Sequence, residues 1–246
     1  ILRMMLRLNQ LVTETFPGLK RHPTGLAILG MAMLTLYVKL SKKRMAPEWW
    51  WEVIPQWTGI EVQALIRYWW RDANCLIWLM VVPLILMRVL AGWRPRQLGF
   101  VLKGTGKEFL LVTGMWLAFL PVLWLISDMP SFAKTYPRVD EVASSGHLFA
   151  VHHLSFLVYW IAWEFFYRGL LLFGFKRDFG SSAVLLSTFP FVIMHYGKPP
   201  LEMTAAIAAG FILCGISLRS KSIFPGVFLH WMVALSMDFV RCSFWR

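Results

Sequence analysis

Residues 160–175 read WIAWEFFYRGLLLFGF and set Glu164 and Arg168 inside an otherwise apolar run. Insertion scales put the cost of a charge at the centre of a membrane helix at about 2.5–3.5 kcal/mol, and such charges face the bundle interior and mark function. Residues four apart share a helix face, so Glu164 and Arg168 can pair. The rest of the chain has the same apolar character. Of its 246 residues 58% are hydrophobic and only 15% charged, and the mean hydropathy is +0.57. A crossing helix needs about 20 mostly apolar residues. Runs of that kind are expected at 24–41, 72–92, 108–128, 147–175, 180–197, 201–218 and 222–241. The fold class is therefore all-α: a polytopic transmembrane helix bundle of about seven spans. The fourth run is long enough to tilt or to leave the bilayer.

Residues 46–70 are different, mixing Trp with Glu48, Glu52, Glu61 and Arg67. That mixture predicts an interfacial amphipathic segment anchored by its indoles. The domain division is residues 1–144, the N-terminal spans with this segment, and residues 145–246, a core of helices in the same membrane-embedded unit. Orientation follows from Lys and Arg in short loops. Asp128, Asp140 and Glu141 outnumber Lys134 and Arg138, so that loop reads as outside. Arg94, Arg96, Lys103 and Lys107 read as inside, as do Lys176, Arg177, Arg219 and Lys221. Lys42, Lys43 and Arg44 conflict with this and leave the first span's orientation open.

The net charge of +12 comes from bases lying between apolar runs, which matches lipid head groups and topology, not nucleic acid. Cys75, Cys214 and Cys242 form no CxxC pair and read as small buried residues. Ala206, Gly210 and Cys214 recur every four residues, the spacing of a close helix–helix surface. There is no cleavable signal-peptide pattern, and a chain opening on Ile1 reads as lacking its native start.

Three further polar residues join Glu164. His195 ends the run LLSTFPFVIMH, His230 lies in FPGVFLHWMVALSMD, and Asp238 is two turns beyond His230. At 1.5 Å per residue, Glu164, His195 and His230 stand about 18, 22 and 14 Å from the inner ends of their spans. That common depth predicts one internal site in the outer half of the bilayer. A carboxylate and an imidazole can deprotonate a water for attack on a carbonyl. A second imidazole can donate to the oxyanion. Two His and a carboxylate can equally hold a metal, and the same layer could relay protons in a transporter. No GxSxG elbow and no HExxH is present.

WEFFYRG, FVIMH and HWMVALSMD together resemble the three signatures of the CAAX protease and bacteriocin-processing family of intramembrane endopeptidases, with a Trp-Glu-x-x-x-Arg pattern like that of its myxosortase branch. The family pattern is Glu-Glu-x-x-x-Arg, then Phe-x-x-x-His, then His-x-x-x-Asn/Asp. Glu164 and Arg168 match the second Glu and the Arg, Phe191 and His195 the second motif, and His230 the third. Trp163 replaces the first Glu, the family's water activator, and Ala234 replaces the Asn or Asp. The resemblance implies an endopeptidase acting on a membrane-anchored protein or peptide. Glu164 is then the expected base, with His195 as partner, Arg168 orienting Glu164, and His230 and Asp238 on the oxyanion. Glu202 and Lys198 are weaker candidates at the site's mouth, and Glu202 could supply a relocated carboxylate. His147, His152 and His153 are expected at the interface. The alternatives are an inactive immunity or binding protein and a zinc-dependent protease. No cofactor is required, zinc staying open, and nucleic acid is not expected as a partner. The expected partners are substrate and lipid bilayer, and the expected location is the bacterial inner membrane.

Overall fold

The structure, a computed structural model, describes residues 7, 10, 14, 23–42, 47 and 60–244. Every regular element among the described residues is a helix, because a spanning segment must satisfy its backbone N–H and C=O groups internally. Helix α1 spans Pro23–Leu40. Helix α2 (Ile60–Leu76) passes through a π-helical turn (Ile77–Val81) into α3 (Val82–Ala91). Then come α4 (Gly106–Ile126) and α5 (Gly146–Glu164), the latter continued by a π-helical segment (Phe165–Phe173) and α6 (Gly174–Phe179). Helices α7 (Ala183–Ile193), α8 (Pro200–Ser220) and α9 (Phe224–Phe239) complete the bundle.

Among the described residues, four helical stretches are long and apolar enough to cross a membrane: Tyr68–Val89, Gly106–Ile126, Gly146–Ile193 and Pro200–Ser220. Leu29–Leu40 and Phe224–Phe239 are shorter apolar helices. The expected fourth and fifth spans are two arms of one stretch. At Gly180, with φ 52° and ψ −125°, the chain turns back. Helix α7 then lies against the π-helical segment, where Ser187 Oγ donates to the Tyr167 carbonyl at 2.8 Å. Its 11 residues reach about 16 Å, roughly half the hydrocarbon thickness. His195 follows the end of this short arm.

Burial is inverted relative to a soluble protein. Leu110 and Leu125 of α4 are 75% and 78% exposed, as lipid-facing side chains are, whereas Glu164 and Arg168 are wholly enclosed. One apolar core runs through both halves of the chain, from Leu34 and Leu79 to Phe156, Phe166 and Phe191. The small-residue surface of α8 packs on α7. A Cβ on Gly210 would come within 2.5 Å of Thr188 Cγ2, so only glycine allows this approach.

Residues 46 and 48–59 of the expected interfacial segment lie outside the described residues, as do Lys43 and Arg44. Residues 60–70 are the first turns of α2 and dock on the bundle. Trp69 Nε1 donates to Ser155 Oγ and Trp70 Nε1 to the Leu40 carbonyl, both at 2.9 Å. The acidic loop between α4 and α5 reaches across helix ends. Tyr68 Oη donates to the Arg138 carbonyl, Tyr136 Oη to Glu202 Oε2 at 2.7 Å, and the Arg138 N–H to Asp238 Oδ1 at 3.0 Å.

Candidate active site

Glu164 is the last residue of α5, and the wide π-helical segment begins at Phe165. A π-helical insertion re-phases side chains and is frequent at functional sites. Arg168 Nη1 lies 3.3 Å from Glu164 Oε1, and His230 Nδ1 donates to the same oxygen at 2.8 Å. Glu164 Oε2 has no hydrogen-bond partner and lies over Gly226 of α9, where a Cβ would stand 3.2 Å from it. The Arg168 guanidinium also covers the Phe191 ring at 4.3 Å. Trp160, one turn before Glu164, stacks on the His230 ring at 3.9 Å between centroids. The carboxylate is thus shut in, with two donors on one oxygen, while the His230 side chain keeps 14% exposure.

His195 follows α7 by two residues and is half-buried. Its Nδ1 is 2.8 Å from the Phe191 carbonyl oxygen. A carbonyl only accepts, so Nδ1 carries the proton and Nε2 keeps a free lone pair. His195 lies within electrostatic reach of both His230 and Glu164, with the Phe191 ring against both imidazoles at 4.6 and 5.8 Å. The three residues matched in depth by sequence do gather on the α5, α7 and α9 faces. Trp163 points elsewhere, stacking on Tyr159 at 5.4 Å and meeting Tyr37 edge-on. The indole at the family's first Glu position therefore supplies core, and Ala234 supplies no polar group.

Asp238 does not join this group. Eight residues correspond to about 12 Å along a helix, and its carboxylate lies instead 3.3 Å from His153 Nε2. His152 and His153, expected at the interface, are buried at 0% and 2% exposure; His147 is exposed. The first turns of α5 are covered by Tyr68 of α2, edge-on to His152, which the isolated pattern could not show. Glu202 and Lys198 pair at 3.2 Å, and Lys198 Nζ also donates to Tyr136 Oη at 3.3 Å. Burial brings the Lys198 ammonium down to about 8, Arg138 reinforcing this and Glu202 opposing it. Both Glu202 oxygens are engaged, Oε2 by Tyr136 and Oε1 by Lys198. Tyr136 and Arg138 were legible only as loop residues, because they reach the mouth by long-range packing.

Residues 146–236 match the family model described as type II CAAX prenyl endopeptidase Rce1-like. No curated protein and no solved structure matches the chain. The matched region contains Glu164, Arg168, His195 and His230 and stops two residues before Asp238. The match carries no assignment to the myxosortase branch. Residues 146–236 are therefore similar to the Rce1-like CAAX-protease family, and the apolar helices mark the chain as an integral membrane protein.

Proposed function

We propose that the chain is an intramembrane endopeptidase that hydrolyses a peptide bond of a membrane-associated protein or peptide, in the inner membrane of a bacterium. Residues 145–246 form its catalytic core and residues 1–144 the flanking helices. The 2.8 Å contact between His230 and Glu164 is the observation that carries this reading. It makes Glu164 the orienting partner of an imidazole, fixed in turn by Arg168, and leaves the role of base to His195.

In this reading His195 Nε2 takes a proton from water as the oxygen bonds to the scissile carbonyl carbon. The negative charge formed on the carbonyl oxygen is met by the Nε2 side of His230, when protonated, its Nδ1 side being held by Glu164. The His195 proton then passes to the leaving nitrogen as the C–N bond breaks, giving a carboxylic acid, which ionises to solvent, and an amine. Lys198, Glu202, Tyr136 and Arg138 line the approach from the outer side. No step requires a metal or cofactor.

Cleavage of co-expressed membrane proteins in proteoliposomes tests the reading. His195→Ala should lower turnover by at least about 100-fold, the usual scale of general base catalysis. Glu164→Gln keeps an oxygen that can accept from His230 and should retain more activity than His195→Ala. Equal and complete loss in both would return the base to Glu164. Trp163 and Ala234 support a second reading, a binding or immunity protein with this fold and no turnover. It gains if the unaltered chain cleaves nothing in its native membrane while Glu164→Ala leaves protection intact.

A further inference from the structure

A second polar cluster joins α5 to α9, nearer the outer side. His152, His153 and Asp238 each present a ligand atom within 4.8 Å of the others. Adjacent helical residues point about 100° apart, yet these two rings lie 5.0 Å apart at 70° and meet on the Asp238 side. All four ring nitrogens and Asp238 Oδ2 are buried without a hydrogen-bond partner. His153 Nε2 is 3.3 Å from Oδ2 but lacks the alignment of a hydrogen bond. Buried polar atoms are normally satisfied, and orphaned ones call for an explanation such as an ion.

We propose that His152, His153 and Asp238 bind one divalent transition metal, zinc in the first instance, as a clamp between α5 and α9. Neutral imidazoles with one carboxylate suit zinc or iron(II), whereas magnesium and calcium take oxygen ligands. Zinc–nitrogen and zinc–oxygen bonds of about 2.0–2.2 Å place tetrahedral donors about 3.3–3.6 Å apart. The His153–Asp238 distance already fits, and the remaining pairs need small ring rotations. Asp238 Oδ1 is held by the Arg138 N–H at 3.0 Å, which turns Oδ2 toward the rings. Trp231 Nε1 donates to the His153 carbonyl at 2.9 Å and fixes the two helices in register beside His230. Arg71 and Arg138 lie within electrostatic reach of His152; Arg71 is neutralised by Asp72 at 2.7 Å, while Arg138 opposes the cation. The site is separate from Glu164, which lies eleven residues further along the helix.

The test is metal content of the detergent-purified chain, equilibrated with zinc and then desalted, together with thermal unfolding with and without zinc. About one zinc per chain and a zinc-dependent rise in Tm are expected for the unaltered protein and for Glu164→Gln. Both should be lost in His152→Phe and Asp238→Asn. Cobalt(II) added to the unaltered protein gives a readout that needs no variant: visible bands of a low-symmetry nitrogen–oxygen site support the proposal. Iron(II) held with the same dependence on His152 and Asp238 also supports it. An unaltered protein that binds no metal and shows no shift in Tm overturns it, as does full metal content in the double variant His152→Phe, His153→Phe.

Discussion

Two polar clusters sit on the same pair of helices and are built in opposite ways. In the deeper one, Glu164 and Arg168 compensate each other and His230 adds a hydrogen bond. In the outer one, two imidazoles and a carboxylate oxygen lie buried with no hydrogen bond among them. Desolvating a charge is tolerated when a counter-charge is placed against it. Desolvating an imidazole that stays neutral is tolerated more cheaply, but its nitrogens remain open to a ligand. The deeper cluster balances its charges within the protein, although Glu164 Oε2 and Arg168 Nε and Nη2 lack hydrogen-bond partners, whereas the outer one sets its carboxylate against two imidazoles with no hydrogen bond between them.

The largest expected effect breaks the compensation. Arg168→Ala strands the Glu164 carboxylate and should cost about 3–5 kcal/mol, read as a lower Tm in detergent. By contrast, His152→Phe in metal-stripped protein removes no hydrogen bond and keeps the stacking on Phe156. It should change stability by less than about 1.5 kcal/mol. Comparable losses in the two variants would erase the distinction between the clusters.

Two smaller effects sharpen the boundary of the site. Gly210→Val forces atoms into Thr188 and should cost about 1–3 kcal/mol by overpacking, measured as a drop in Tm with the other contacts unchanged. Glu202→Gln can keep its bonds to Tyr136 and Lys198 and should alter kcat/KM by less than about tenfold, about 1.4 kcal/mol in barrier. A dead Glu202→Gln variant with unchanged Tm would move the catalytic carboxylate to the mouth.

The sequence by itself determined the solvent, the helical class and the deeper cluster. Long apolar runs admit only helices in lipid, and charges within them must face inward, so Glu164, Arg168, His195 and His230 stood out from pattern and depth alone. Tertiary structure decided what depends on rotation and on long-range approach. The turn at Gly180 made two expected spans into one folded stretch with a short return arm. The π-helical segment set the phase in which Arg168 meets Glu164. The packing of α5 on α9 drew Asp238 away from His230 and onto His153, and the loop at Tyr136 and Arg138 closed over Lys198 and Glu202. Periodicity specifies which residues share a helix face. Which face meets which neighbour is fixed only when the bundle packs, because a side chain two turns along a helix is about 12 Å away and finds whatever partner another helix brings.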